Sequence, residues 1–231
     1  MNEINYINGD IHEVIKSFDD NSIDFIYTDP PFATTQASWD KPLRWEELFK
    51  EMWRVLKPDG IICLYSAIPF TYELYKYEKP KYHYSWCKNN KTGFFHAKYQ
   101  PLRQMEEINI YYKKRGTYNP QMEGDKFVKK RNVKVGGRNG YYGDKLKDKD
   151  NTYDEENGHQ GLYPTTFKNW DIRKHDKSGI TRNDEQIDYF IKTYTNKNDT
   201  ILDMTCHNNY VGNRAKLLER KYIGVDLDLQ I

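Results

Sequence analysis

The chain has 231 residues, 37% of them hydrophobic and 30% charged, with a formal net charge of +2. That is long enough to bury a core, although the low apolar share implies at least one polar, poorly packed segment. Three cysteines, Cys63, Cys87 and Cys206, are too few and too scattered for a disulfide framework or a zinc site, so no metal is expected.

The amino end, MNEINYINGD, is polar, and the longest apolar run, GIICLYSAIPF, is far too short to span a bilayer. A soluble, intracellular protein with no membrane partner is expected. SIDFIYT, residues 22 to 28, predicts a short buried strand, β-branched and aromatic. From Leu43 to Lys57, Trp45, Leu48, Phe49, Met52, Trp53 and Leu56 fall on one stripe at helical spacing. PDG is read as the stop of that helix and GIICLYS, residues 60 to 66, as the next strand. YHYSWCK and EINIYYKK predict two further strands, close enough in the chain to pair.

Past Lys113 the apolar periodicity dissolves. From Lys113 to Lys149 there are 12 Lys and Arg against 4 Asp and Glu, a local balance of +8 that leaves −6 for the remainder. A nucleic-acid-facing flap has this charge pattern, and so does a solvated basic loop. Order returns with a helix near Asp184 to Thr193, where Ile187, Phe190 and Ile191 share a face. The strand TILDM, a polar turn, a helix through GNRAKLLER and a last strand YIGVDL follow. Strands alternating with helices predict an α/β fold with a mostly parallel sheet, whose ligands bind beyond the carboxyl ends of the strands. Asp29, Asp203 and Asp226 fall at such ends, and Asp10 in INGDI closes the short N-terminal segment. Singly, each is an ordinary loop or cap aspartate; together they outline a site.

TDPPF, residues 28 to 32, resembles the catalytic motif of the DNA amino-methyltransferases. The order of parts is similar to the permuted β-type arrangement, in which that motif lies early and the cofactor loop late. INGDIHEVIKSFDDNSIDFIYTDPPF, SWDKPLRWEELFKEMWRVLKPDGIICLYS, KYQPLRQMEEINIYYKK and YTNKNDTILDM…LLERKYIGVDLD carry the resemblance over most of the chain outside residues 113 to 165. It implies a Rossmann-like methyltransferase sheet, circularly permuted, with an inserted basic flap. Residues 1–112 would form the catalytic part, 113–165 the flap and candidate target-recognition region, and 166–231 the cofactor-binding part.

The implied activity is methyl transfer from S-adenosylmethionine to adenine N6 in double-stranded DNA, as in restriction-modification and phage enzymes. Cytosine N4 and RNA adenine remain alternatives, and the aspartate form of the motif leans toward adenine. Asp29 would accept one N–H of the target amine, the Pro30 carbonyl the other, Pro31 would help to hold that carbonyl still, and Phe32 would stack on the extruded base. By the same resemblance Asp226 would bind the cofactor ribose, Asp10 its adenine amino group, and Asp203, Thr205 and Asn209 would belong to the cofactor loop. Lys129, Lys130, Arg131, Lys134 and Arg138 of the flap would contact DNA.

Two departures bear on the cofactor. The family loop D-P-F-x-G-S-G-T-T-G reads DMTCHNNYVG here, with His207 and Asn209 for two glycines and only Gly212 kept. Asn208 and Asn209 are expected to keep the turn by tolerating left-handed backbone, and the His207 ring to intrude on cofactor space. SGITRN stands where the family has H-P-T-x-K-P, with Arg182 in place of the lysine. The chain stops five residues beyond Asp226, where the family continues with a helix, which would leave an apolar face for a homodimer or a partner subunit. The competing expectation is therefore a methyltransferase-like subunit that binds DNA or a partner and holds cofactor poorly.

Overall fold

The computed structural model describes residues 3–128, 159–172 and 182–231. In the first part of the chain β1 (Ile4–Asn8) leads to α1 (Ile11–Val14), β2 (Ile23–Thr28), α2 (Trp45–Val55) and β3 (Leu56–Ser66). Next come α3 (Phe70–Leu74), β4 (Tyr82–Thr92), β5 (Arg103–Tyr111) and β6 (Glu123–Val128). The remainder holds β7 (His159–Leu162), β8 (Phe167–Lys168), α4 (Asp184–Tyr194), β9 (Thr200–Asp203), α5 (Tyr210–Leu217) and β10 (Lys221–Asp226).

The chain divides into two units, Met1–Asn119 with Thr165–Ile231, and Pro120–Pro164. The first is built on an eight-stranded sheet in the order β1-β10-β9-β2-β3-β5-β4-β8. β1, β10, β9, β2 and β3 are mutually parallel, and β5 is antiparallel to both β3 and β4. All carboxyl ends of the parallel strands therefore share one edge. Helices cover both faces, which is why β2 and β3 read as continuous apolar runs. Phe25, Tyr27, Ile61, Cys63 and Tyr65 face a layer that includes Ile187, Phe190 and Ala215 of α4 and α5. Ile26, Ile62 and Leu64 face the other layer, with Ile11, Leu48, Met52 and Phe70 of α1, α2 and α3. In the described part of the second unit, β6 and β7 pair antiparallel.

Of the helix stripe, Trp45, Leu48, Phe49 and Met52 are buried on α2, Trp53 is half-buried, Leu56 already belongs to β3, and Val55 joins the buried face. One expectation needs correcting. PDG does not end the helix: α2 stops at Val55, and β3 begins at Leu56 without a loop. Leu56 pairs with Ile23 and Ile61 with Phe25, so Lys57 to Gly60 bulge opposite Asp24 alone. The stretch after Lys113, expected as an inserted flap, contains β6 and β7. Its first residues belong to the sheet unit, where the Asn119 N–H donates to the Thr193 carbonyl at 2.8 Å. The flap residues Lys129, Lys130, Arg131, Lys134 and Arg138 lie outside the described residues. Among the described residues no helix is long and apolar enough to cross a membrane.

Candidate active site

The carboxyl edge of the sheet gathers the acids from successive strands. Asp10 follows β1 and caps α1, its Oδ1 accepting the His12 N–H at 2.9 Å. The neighbouring Gly9 N–H donates to the Asp226 carbonyl at 2.9 Å, so the tips of β1 and β10 are tied together. The Asp226 carboxylate accepts two backbone N–H groups, from His207 at 2.8 Å and Asp228 at 2.9 Å. Asp203, at the end of β9, is only 3% exposed. It accepts the Thr205 N–H at 3.2 Å and the Tyr222 hydroxyl at 3.0 Å. Burial pushes its carboxyl up to about 7 in spite of these two hydrogen bonds, with the charges of Asp29 and Asp226 adding to the rise. Asp203 thus serves the interior of the loop as a buried acceptor, whereas Asp10, Asp226 and Asn209 reach solvent.

Asp29 follows β2 directly. The hydroxyls of Thr28 and Thr205 meet at 3.0 Å, joining the strand that carries TDPPF to the loop after β9. Arg182 donates from Nη2 to Asp29 Oδ1 at 2.7 Å and forms an ion pair with Glu106 Oε2 at 3.0 Å. Its guanidinium lies 4.6 Å from the Tyr65 ring centre and 4.8 Å from that of Trp86. Lys88 donates to the other oxygen of Glu106 at 2.5 Å. Burial raises the Asp29 carboxyl above its ordinary value, against the opposing pull of the Arg182 guanidinium. Burial also works against the Glu106 charge, but Arg182 and Lys88 outweigh it and hold that carboxyl low.

Beyond the two prolines the chain is wrapped around a residue the sequence reading passed over. The Asp40 carboxylate accepts the N–H groups of Ala33, Thr34 and Thr35 at 2.6, 2.9 and 2.6 Å and the Thr35 hydroxyl at 2.7 Å. Although Asp40 is buried, these bonds outweigh desolvation and lower its carboxyl below the usual range. They fix the loop behind Phe32, which stacks on Phe70 with ring centres 5.1 Å apart and planes 20° apart. One face of Phe32 is therefore engaged inside the protein. Glu106 was also missed. It shares the inward face of β5 with Ile108 and Ile110 at period two, and an acid in that series was the signal available.

The loop after β9 adopts a conformation opposite to the one expected. His207 itself takes left-handed backbone, with φ of 54°, while Asn209 keeps φ of −83° at the start of α5. His207 is exposed, and its N–H is the one that binds Asp226. The left-handed turn aims that N–H at Asp226, and histidine is among the residues that tolerate this region better than most. Gly212 is required by close approach, because a Cβ there would sit 2.2 Å from the Tyr6 hydroxyl and 2.9 Å from Tyr222 Cε1. Its absence of side chain lets α5 lie directly on β1 and β10.

Among the described residues no cluster of three or more His, Cys, Asp or Glu could hold a metal ion. A family model described as DNA methylase matches residues 23–231. No curated protein matches the chain. Among solved structures, the cytosine-N4-specific PvuII DNA methyltransferase is similar at 14% identity, covering 97% of this chain and 82% of its own, with a TM-score of 0.66. The complex of M1.HpyAVI with S-adenosylmethionine is similar at 19% identity, covering 96% and 92%, with a TM-score of 0.57. A candidate DNA modification methylase of Thermus thermophilus, also complexed with S-adenosyl-L-methionine, is similar at 16% identity, covering 98% and 88%, with a TM-score of 0.59. At such identities the likeness concerns the fold, a Rossmann-like α/β sheet.

Proposed function

The chain belongs to the DNA methylase family of the N6 and N4 type, and we propose that it transfers a methyl group from S-adenosylmethionine to adenine N6 in DNA. The observation that carries this reading is the contact between the two motifs. Asp29 follows β2 beside the Thr28–Thr205 pair, and Asp203, Asp226 and Asp10 stand on the same sheet edge.

An exocyclic adenine amine is a poor nucleophile because its lone pair is delocalised into the ring. Asp29, accepting one N–H, and the Pro30 carbonyl, accepting the other, draw the nitrogen toward tetrahedral geometry and free that lone pair. Pro30 and Pro31 restrict φ and keep the carbonyl in place. Phe32, braced on Phe70, leaves its outer side to the extruded base. The cofactor supplies an electrophilic methyl group. The donor set fits it: each Asp226 oxygen accepts one backbone N–H and retains a lone pair for a ribose hydroxyl. Asp10 at the adjoining strand end is an acceptor for the adenine amino group.

Adenine is favoured over cytosine by the aspartate that opens the motif, although the PvuII enzyme, which shares the fold, is specific for cytosine N4. A second reading has its own observation. Arg182 occupies Asp29, and His207 and Asn209 stand where the family loop has glycines, as in a subunit that holds DNA or a partner but little cofactor. Calorimetric titration with S-adenosylmethionine and S-adenosylhomocysteine separates them. Micromolar binding, followed by N6-methyladenine in unmodified DNA incubated with the protein, supports the enzyme. Folded protein that gives no heat up to millimolar ligand supports the subunit, and N4-methylcytosine in the product would correct the base.

A further inference from the structure

The tip of the β4–β5 hairpin carries an unusual combination of side chains. Phe94, Phe95 and Tyr99 are 66, 99 and 87% exposed. Around them stand the exposed cations Lys91, Lys98 and Arg103, and no acid occurs between Lys88 and Arg103. None of these three cations has an ion-pair partner among the described residues. Gly93, at φ of 90°, makes the left-handed turn that opens the tip, and a short 3-10 turn over Phe94–His96 follows.

The hairpin stands on the edge that holds the acids. β4 and β3 are both antiparallel to β5, so β4 also ends at the carboxyl edge. Asp29 lies one residue past the Thr28–Leu64 pair, level with the Tyr65–Ile108 pair. Five residues of β5 separate Ile108 from Arg103, so the tip projects about 17 Å beyond Asp29 at strand rise. A substrate that delivers one base to Asp29 must pass alongside this tip.

We propose that the β4–β5 tip is a DNA contact distinct from the basic flap, with Lys91, Lys98 and Arg103 on phosphates and Phe94 and Phe95 on exposed base faces. The inference rests on the DNA reading of the site. Its chemistry is that of proteins that track a phosphate backbone with cations while stacking bases on aromatic rings. A ring inserted beside an extruded base also supports the unstacked duplex. Protein interfaces are depleted of lysine at their centres, and unpaired cations interleaved with the rings fit a polyanion better.

The test uses the full chain and a short mixed-sequence duplex, either fully paired or carrying an adenine mismatch at its centre. Lys91→Gln with Lys98→Gln should weaken binding to both and reduce the slope of log affinity against log salt by about two. Phe94→Ala with Phe95→Ala should weaken paired-duplex binding on the order of tenfold, leave the salt slope unchanged, and cost less on the mismatched duplex. All four side chains are exposed, and an unchanged thermal unfolding midpoint would verify that the variants are folded. Wild-type affinity in both variants would overturn the proposal while leaving the DNA reading standing. A change of oligomeric state with unaltered DNA affinity would overturn it in favour of a protein interface. If the wild type binds neither duplex, the DNA reading itself fails and takes this inference with it.

Discussion

Arg182 and Asp29, 153 positions apart in the chain, are joined by a 2.7 Å hydrogen bond that closes a charge network through Glu106 and Lys88. The Arg182 side chain is 9% exposed and that of Glu106 11%. Removing the cation strands two carboxylates, one of them deeply buried. Breaking a buried pair by deleting one partner costs about 3–5 kcal/mol, and the lower end applies because 34% of the Asp29 side chain remains open to solvent. Arg182→Gln should therefore lower unfolding free energy by about 3 kcal/mol in denaturant titration. Arg182→Lys, which keeps the charge but lacks the planar guanidinium that lies against the Tyr65 and Trp86 rings, should fall between Gln and wild type. Equal stability of all three proteins would show that the network contributes nothing.

Asp29→Ala and Asp29→Asn test the proposed chemistry. Neither substitution should unfold the chain, since Arg182 retains Glu106. Methyl incorporation into DNA should fall by a factor on the order of 10² to 10⁴, the usual range for loss of a positioned acid–base group. Cofactor affinity should stay at the wild-type level, because Asp226 and Asp10, assigned to the cofactor ribose and adenine, stand at the ends of β10 and β1 and not on β2. Transfer at the wild-type rate by either variant would remove Asp29 from the mechanism.

Much of this architecture was legible because periodicity and burial coincide. Phe25 to Thr28 is covered on both faces and reads as an unbroken apolar run, while α2 buries one stripe and reads at 3.6 spacing. β1 escaped because INYIN is short and half-buried at the sheet edge, and its polar Asn5 and Asn8 stand three apart, which breaks the period of two that marks a strand. The α2–β3 junction escaped because a bulge of four residues opposite Asp24 has no propensity signature, and PDG imitates a helix stop. In the site, the acids could be placed because parallel topology puts strand ends together. Their partners could not: Asp40 acts on backbone N–H groups five to seven residues earlier, and Arg182 reaches Asp29 only through the fold.

The turn after β9 gives a prediction with opposite signs for two substitutions. His207 sits at φ of 54°, a region costing an L-residue about 1–2 kcal/mol and a β-branched one the most. His207→Gly should leave thermal stability unchanged or raise it, since the exposed ring contributes no burial and the N–H to Asp226 is preserved. His207→Val should lower unfolding free energy by about 1–2 kcal/mol and weaken cofactor binding by moving that N–H. If Gly also tightens S-adenosylmethionine binding, the ring obstructs the cofactor. If Gly and Val behave alike, the left-handed turn is not what holds the loop.

Asp203 makes stability depend on pH in a direction opposite to that of a salt-bridged acid. Its carboxyl is pushed up to about 7 in the folded protein from 3.8, so the folded state holds a proton that the unfolded chain releases. The stabilisation from the protonated form is complete below the unfolded value and is lost as pH rises through about 7. A gap of that size corresponds to about 4 kcal/mol between the two limits. Asp203→Asn keeps an oxygen for the Thr205 N–H and offers an amide N–H to the Tyr222 hydroxyl, so the site remains satisfied without a charge. Asp29, raised by burial, adds a slope of the same sign, while His12, lowered by burial, adds one of the opposite sign. His12 is present in either protein and cancels in the comparison, whereas Asp29 loses the repulsion of Asp203 in the variant, so its own rise is smaller there and widens the difference in the same direction. Asp203→Asn should therefore match wild type near pH ~4 and exceed it progressively toward pH ~8 in unfolding free energy. A constant difference across that range would mean that Asp203 titrates normally in the folded state and that the loop is held by its hydrogen bonds alone.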